Sequence, residues 1–251
     1  MKLTQSLFAA ALLTTSVGVL AVPAPVAQYD FNGILASSVA GAPVLSVTDP
    51  LSQSGFATDT VMGTPRSVWN FSGNALPTSD QAGLTLNTTG LLSSNSIYSV
   101  EMVFKFTQRE NAWRRIIDVE SRQSDSGFYV SPSNNLDIFP IGGGASFTND
   151  IYHDVFLVND NGVVTFYLDG SAQATLTSNV MNIDASNNMA FFLDNVVAGG
   201  QGEYSNGSIA LVRLYNEALT TLPPPVPEPA TWLLMAAGLV GLSTLRRRTL
   251  H

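Results

Sequence analysis

The chain has 251 residues, no cysteine and a formal net charge of −8 at pH 7. Without cysteine it forms no disulfide, no thiolate metal site and no cysteine nucleophile. Between residues 22 and 226, seven Lys and Arg are outnumbered by eighteen Asp and Glu, and this balance argues against nucleic-acid binding, because phosphate recognition needs clustered cations.

The first 21 residues predict a secretory signal peptide. Lys2 precedes an apolar run of small residues from Leu7 to Leu20, and Val19 and Ala21 occupy the two positions that signal peptidase inspects. We predict cleavage after Ala21. An uncleaved anchor is the less favoured alternative, because the run is short for the ~20 residues of a membrane span.

The middle of the chain shows the pattern of β-strands. Apolar residues recur mostly at every second position, and Gly, Asn, Asp and Ser interrupt the runs. In the segment 97–106, Val100, Met102, Phe104 and Phe106 share one face, which predicts a strand with one core face and one solvated face.

Turn residues separate the other strand candidates. The Asn161-Gly162 pair predicts a tight hairpin between 155–158 and 163–168, and Asp169-Gly170 predicts the next corner. Further strands are predicted near 28–31, 67–71, 84–87, 114–120, 127–130, 136–139, 189–193 and 208–215. A dozen short strands predict an all-β sandwich of two packed sheets.

Several segments follow one another in an order that is typical of a known family. They include 29–33, 98–106, 113–118, 164–170 (Val-Thr-Phe-Tyr-Leu-Asp-Gly) and 212–219 (Val-Arg-Leu-Tyr-Asn-Glu-Ala-Leu). This order resembles the laminin-G-like, concanavalin A-like jelly-roll family. The resemblance implies one jelly-roll β-sandwich domain over residues 22–221, in a fold that also houses glycoside hydrolases.

A catalytic role was tested on the strand where this resemblance places it. The laminarinase-like branch carries Glu-x-Asp-x-(x)-Glu, and the nearest match here is 116–120. Asp118 and Glu120 share a face of that strand, but Ile116 stands where the nucleophile belongs, and an apolar side chain cannot attack an anomeric carbon. Glu120 is then expected to pair with a neighbouring arginine, and His153 to be structural, so the sequence predicts no enzyme.

Calcium is the one cofactor that the resemblance suggests, because related domains often hold this ion at a sheet rim. Where the family has an acidic segment, residues 209–213 of this chain are Ile-Ala-Leu-Val-Arg and include no acidic residue, so that particular site is expected to be lost. Asp125, Asp194 and Asn195 in loops remain as candidate metal ligands, each with the alternative role of a turn former. No other cofactor is predicted.

A glycan platform needs exposed aromatic side chains. Trp69 and Trp113 lie in strand-like segments, where tryptophan is more often part of the core. Phe147 and Tyr204 lie in predicted loops and are the alternative platform residues. The glycines at 142–144 are predicted to form a loop tip.

The end of the chain combines three unlike features. Residues 222–229 form a Pro-rich linker that ends in Val226, Pro227, Glu228 and Pro229, and residues 230–245 are all apolar or small. A triple arginine follows directly. Because cationic residues flank membrane segments on the cytoplasmic side, this end is expected in the cytoplasm and the domain in the periplasm. The three cations are Arg246, Arg247 and Arg248.

This order resembles the PEP-CTERM sorting signal, whose implied partner is an exosortase-type processing enzyme. A helix over 230–245 would reach about 24 Å, short of the ~30 Å hydrocarbon core, so residues 230–251 are predicted to anchor the chain in the membrane only temporarily. Together, the ends and the sandwich predict an exported surface or matrix protein that binds glycan, or acts in adhesion, within an exopolysaccharide envelope. A divergent glycoside hydrolase and a purely structural matrix component remain the alternatives.

Overall fold

The computed structural model describes residues 22–107, 110–197 and 199–223, with the backbone alone for Ala145. The predicted signal peptide with its cleavage site at Ala21, the Pro-Glu-Pro motif and the predicted membrane segment lie outside the described residues. Within the described ranges, no helix is both long enough and apolar enough to cross a membrane.

In the described chain, fifteen strands and two short 3-10 helices alternate with turns. The strands are β1 (Ala27–Tyr29), β2 (Ser46–Thr48), β3 (Gly55–Val61), β4 (Thr64–Phe71), β5 (Gly83–Asn87), β6 (Ile97–Phe106), β7 (Arg114–Asp118), β8 (Gly127–Val130), β9 (Asn135–Phe139), β10 (Gly142–Ser146), β11 (His153–Asp160), β12 (Val163–Leu168), β13 (Ser171–Thr177), β14 (Asn188–Phe191) and β15 (Gly207–Tyr215). The 3-10 helices span Thr78–Asp80 and Asn179–Met181. The all-β prediction is confirmed.

The strands form two antiparallel sheets that pack face to face. The larger sheet has the order β13-β12-β11-β6-β15-β4-β3, and β1 pairs with the C-terminal half of β15. The smaller sheet has the order β10-β9-β8-β7-β14-β5-β2. Strands β11, β6 and β15 therefore lie at the centre of the larger sheet, where each has a partner on both sides.

The core between the sheets contains a cluster of phenylalanine rings. Phe71 and Phe192 stack with ring centroids 3.9 Å apart, and Phe104 and Phe106 lie 5.2 and 5.8 Å from Phe192. Phe147 packs on Phe104 at 5.4 Å. Aromatic pairs of this kind add about 0.5–1.5 kcal/mol each beyond the area they bury, so the cluster holds the two sheets against each other.

The alternation predicted for β6 is present, but its second face is not open to solvent. The four predicted core residues do lie between the sheets. On the opposite face, Glu101 and Val103 are also only 1% exposed. Val68, Tyr152 and Leu211 pack beside Val103 and cover it. The prediction of a solvated face is wrong, because a central strand is flanked on both sides by side chains that cover this face.

The hairpin turns follow the prediction. Asn161 and Gly162 have φ angles of 52° and 86°, and Asp169 and Gly170 have φ angles of 51° and 78°. Both pairs connect adjacent strands through two residues of positive φ, a conformation that Asn, Asp and Gly adopt with little strain. The second of these turns matters for the site, since it places Asp169 beside the start of β11.

Three strands, β2, β3 and β10, were not predicted from the sequence, and β13, which continues the meander after the predicted corner at Asp169-Gly170, was predicted without bounds. Residues 142–144 belong to β10 and are not a loop tip, so that prediction is wrong. A Cβ on Gly143 would lie 2.1 Å from the Leu136 carbonyl oxygen, so close pairing with β9 requires glycine there. Three successive glycines carry no side-chain alternation, and the sequence pattern therefore could not reveal this strand.

Candidate functional site

A pocket of about 440 Å³ opens on the outer face of the larger sheet, which points away from the core. Three carboxyl groups and several apolar side chains form its walls, and we call it the outer-face pocket. It is lined by Glu101, Asp154 and Asp169 and by Met62, Phe156, Gly170, Leu222 and Pro223. The last two residues belong to the segment that leaves the sandwich for the C-terminal linker.

Strand register places the polar groups of this pocket. Glu101 on β6 lies opposite Phe156 on β11 and opposite Arg213 on β15. Asp154 lies two residues before Phe156 and therefore points to the same face. The turn between β12 and β13 supplies Asp169, so the site is built by the central strands and one neighbouring hairpin.

Glu101 is a buried and well-held carboxylate. Its two oxygens accept hydrogen bonds from Arg213 Nη1 at 3.3 and 3.2 Å, and Oε2 also accepts one from the Tyr215 hydroxyl at 3.3 Å. Burial raises the pKa of Glu101, while the Arg213 charge acts in the opposite direction. Arg213 is thereby committed to one of the three carboxyl groups.

Asp169 is also engaged by the protein. Its Oδ2 lies 2.7 Å from His153 Nδ1, and its Oδ1 accepts the backbone N–H of Asp154 at 2.9 Å. His153 is 7% exposed and packs on the Phe147 ring at 4.6 Å. His153 therefore fastens the β12–β13 turn to β11, which is the structural role expected of it.

Asp154 differs from its two neighbours. Its Oδ1 is buried and has no hydrogen-bond partner among the described residues. Burial, together with the charges of Glu101 and Asp169, raises the pKa of Asp154 to about 7, against an opposing effect of Arg213. A carboxyl group that the protein leaves unpaired inside a pocket is a natural contact for a ligand.

The predicted metal candidates meet at a second place. Asn195 Nδ2 donates to Asp125 Oδ1 at 3.1 Å, and Asp194 precedes Asn195 in the same loop. Glu203 joins them, because its backbone N–H donates to Asp194 Oδ2 at 2.9 Å. We call Asp125, Asp194, Asn195 and Glu203 the loop cluster. Residues that are 78 positions apart in sequence thus become neighbours.

The loop cluster already has a protein cation. Arg115 Nε lies 3.3 Å from Asp194 Oδ1, and the guanidinium of Arg115 also pairs with Asp118. Burial, together with the charges of Asp194 and Asp125, raises the pKa of Glu203 to about 8. In the described parts of the chain, no three His, Cys, Asp or Glu side chains converge as metal ligands would. Calcium binding at this cluster stays a prediction.

The strand tested for catalysis is part of the fold's ion-pair framework. Asp118 Oδ2 pairs with Arg115, and Asp118 Oδ1 accepts the backbone N–H groups of Glu120 and Arg122. Strand β7 ends at Asp118, so Glu120 lies beyond the strand. Within the described residues, Arg115 forms its ion pairs with Asp118 and Asp194, not with Glu120.

The aromatic candidates are mostly core residues. Trp69 is 3% exposed, in agreement with the prediction, and Trp113 is half-buried against Tyr129 and Phe139. The expectation that Phe147 and Tyr204 could be exposed platforms is wrong, since they are 2% and 1% exposed. Their loops fold back onto the sandwich and bury the rings.

Sequence reasoning missed the carboxyl groups of the outer-face pocket. Glu101 was assigned to a solvated face, and Asp154 was not singled out. The available signal was the mixture of acidic and large apolar residues on the outward positions of β6 and β11, namely Glu101 with Val103 and Asp154 with Phe156. A solvated face rarely carries that mixture, whereas a pocket requires it.

Two family models match the chain. The concanavalin A-like lectin/glucanases superfamily matches residues 78–222, and the PEP-CTERM protein-sorting motif matches residues 225–248. The second match confirms the predicted sorting signal, and this motif indicates export to the cell envelope. No curated protein is similar enough to count as a relative.

Several solved structures are similar to this chain at low identity. Domain 4 of AbnA, an extracellular GH43 arabinanase from Geobacillus stearothermophilus solved with arabinotriose, is 19% identical, with a TM-score of 0.56 over 78% of this chain and 94% of that domain. A structure of botulinum neurotoxin type C is 15% identical, with a TM-score of 0.50 over 77% of this chain and 47% of that one. Trypanosoma rangeli sialidase is 12% identical, with a TM-score of 0.46 over 66% and 27%.

The two sheets, the strand order and the family match over more than half of the sequence agree with one another. The chain belongs to the concanavalin A-like lectin/glucanases superfamily and carries a PEP-CTERM sorting motif at its C-terminal end.

Proposed function

We propose that this chain is a non-catalytic envelope protein whose sandwich binds glycan in the outer-face pocket. The observation that carries the proposal is the composition of that pocket, in which three carboxyl groups lie beside the apolar side chains of Met62, Phe156 and Leu222. Carboxyl oxygens accept hydrogen bonds from sugar hydroxyls, and apolar side chains pack against the C–H faces of a sugar ring. Both kinds of contact are needed at a sugar site.

The size and position of the pocket support this use. A volume of about 440 Å³ lies in the range of about 300–1,000 Å³ that is common for small-ligand sites. Glu101 and Asp154 stand on central strands, whose backbones are held on both sides, and Asp169 is held by His153 and the Asp154 backbone, so the site is pre-organised. The pocket also lies beside the segment that leads to the sorting motif, and the export to the cell envelope that this motif indicates is compatible with a glycan ligand.

The fold relatives supply an analogy. Domain 4 of the arabinanase was solved with arabinotriose, and the botulinum neurotoxin structure describes cell entry through ganglioside molecules. These names speak of those proteins, and the likeness to this chain is one of fold. The arabinanase domain supports the proposal, because it shares this architecture over nearly its whole length and was solved with an oligosaccharide.

Glycoside hydrolysis is the second candidate, and one observation favours it. Asp154, whose pKa is raised to about 7, stands near Glu101, as a general acid stands near a second carboxylate. We favour binding, because Glu101 is only 1% exposed and is held by Arg213 and Tyr215, which leaves it poorly placed as a nucleophile. Turnover of a bound oligosaccharide that disappears in Asp154→Asn would reverse this preference.

A glycan array with the purified full-length chain in detergent tests the proposal. Met62→Trp narrows the pocket from its rim, where Met62 is 46% exposed, and should abolish the glycan signal. Ile141→Trp is the matched control, because Ile141 is also 46% exposed but lies between β9 and β10 of the smaller sheet. Silence on every glycan would favour a purely structural matrix component, and equal binding by Met62→Trp would place the site elsewhere.

A further inference from the structure

We propose that the outer-face pocket selects a glycan bearing a protonated amine, such as a deacetylated amino sugar, and that Asp154 is the group that pairs with this amine. The inference rests on the proposed glycan-binding function and narrows its ligand class. Its basis is the charge balance of the pocket and one carboxyl oxygen that the fold leaves without a partner.

The pocket has an excess of negative charge. Three carboxyl groups line it, and Arg213 is the neighbouring cation, already bonded to both oxygens of Glu101. Lys105 lies further along β6, and its Nζ already forms an ion pair with Asp59 Oδ2 at 2.8 Å. An anionic sugar would meet repulsion here, whereas a cationic sugar would be attracted by all three carboxyl groups.

Asp154 is the carboxyl group positioned for direct contact. Glu101 and Asp169 already accept hydrogen bonds from the protein, whereas the side chain of Asp154 is partly exposed and its buried Oδ1 has no donor in the described structure. An unsatisfied buried acceptor is unfavourable, and rotation of the carboxyl group toward an incoming N–H donor removes that cost. Charge-assisted hydrogen bonds from an ammonium are shorter and stronger than those from a hydroxyl, so the amine is the better partner.

The ionisation of Asp154 supports the same ligand. Burial and the charges of Glu101 and Asp169 raise its pKa to about 7, which means that the empty pocket disfavours a third negative charge. An ammonium reverses this effect, because it stabilises the ionised form of Asp154. A neutral group such as a hydroxyl or an acetamide cannot supply that stabilisation. The affinity for an amino sugar should therefore be much higher than the affinity for the acetylated sugar.

Two oligosaccharides that differ only in acetylation provide the test. The tetramer of β-1,4-linked glucosamine and the tetramer of N-acetylglucosamine have the same backbone, and their affinities are measured by titration calorimetry with the full-length chain in detergent at neutral pH. We expect the glucosamine tetramer to bind at least about tenfold more tightly. Asp154→Asn should reduce this ratio to within about twofold, because Asn keeps the shape but loses the charge.

The controls separate this inference from the function on which it rests. Asp160→Asn removes an exposed carboxyl group at the far end of β11 and should keep the preference for the amine. Equal binding of the two tetramers, a preference that survives Asp154→Asn, or binding that a chelator abolishes would overturn the inference. If neutral glycans bind in a Met62→Trp-sensitive manner and the amine brings no advantage, only the amine inference fails. If no glycan binds at all, the proposed function fails first.

Discussion

Replacing Asp154 with Asn should stabilise the protein at alkaline pH and leave it unchanged at acidic pH. The pKa of Asp154 is raised from the ordinary value of 3.8 to about 7. Between these values the folded state keeps a proton that the unfolded state has already lost. Stability therefore falls as the pH rises from about 4 to about 7, and the full destabilisation is present above pH 7.

The size of the effect follows from the same shift. At about 1.4 kcal/mol per pH unit, the raised pKa corresponds to an upper limit of roughly 4 kcal/mol. The side chain is partly exposed, and solvent screening reduces the effect, so we expect Asp154→Asn to gain about 1–2 kcal/mol at pH 8. At pH 4 the wild-type carboxyl is already neutral in the folded state, and Asn should give little change.

Urea unfolding, followed by tryptophan fluorescence, measures the free energy of unfolding at each pH. Trp69 reports on it because this side chain is buried in the folded sandwich. The quantity of interest is the difference in unfolding free energy between the variant and the wild type at pH 8 and at pH 4. Asp160→Asn, an exposed change on the same strand, should show less than about 0.5 kcal/mol at either pH. A loss of stability in Asp154→Asn at pH 8, or an equal gain at both pH values, would refute the reasoning.

Three further predictions concern the loop cluster and the sorting motif. Glu203→Gln should raise the melting temperature more at pH 9 than at pH 5, because the pKa of Glu203 is raised from 4.5 to about 8 and its ionisation destabilises the fold. An equal change at both pH values would contradict this. Arg115→Ala should cost about 3–5 kcal/mol in urea unfolding, since it leaves two buried carboxyl groups without their cation; a loss below about 1 kcal/mol would mean that the pair is not needed. The double change Pro227→Ala/Glu228→Ala should block processing of the tail, visible as a larger product on gels of envelope fractions, and unchanged size and location would count against the sorting assignment.

Strands with strict alternation were predictable, and strands with weak alternation were not. β6, β8 and β12 have the predicted bounds, because alternating apolar residues there face a core. β3 lies at an edge of the larger sheet. Its aromatic residue Phe56 is exposed, whereas the small Ala57 and the charged Asp59 are partly buried, so the apolar residues of this strand do not mark its buried side. Edge strands bury little, and their side chains are correspondingly unconstrained.

The candidate site could be anticipated only in fragments. The loop residues Asp125 and Asp194 were recognised as polar groups of interest, but their contact with Arg115 and Glu203 arises from the meeting of distant loops. Glu101 looked like an ordinary surface residue of an alternating strand. Its burial depends on Arg213 and Tyr215 of β15, which lies more than one hundred residues later in the chain.

Local sequence patterns alone predicted the C-terminal sorting signal and the all-β fold class of this protein. A sorting motif, a strand period and an Asn-Gly turn each act over a few residues, so they are legible without the fold, and the family matches agree with them. The tertiary structure decided which outward face is covered, which carboxyl groups share a pocket and which of them lacks a partner. Burial and charge proximity are properties of distant segments brought together, and they shift the pKa values and set the binding chemistry only after the sheets have packed.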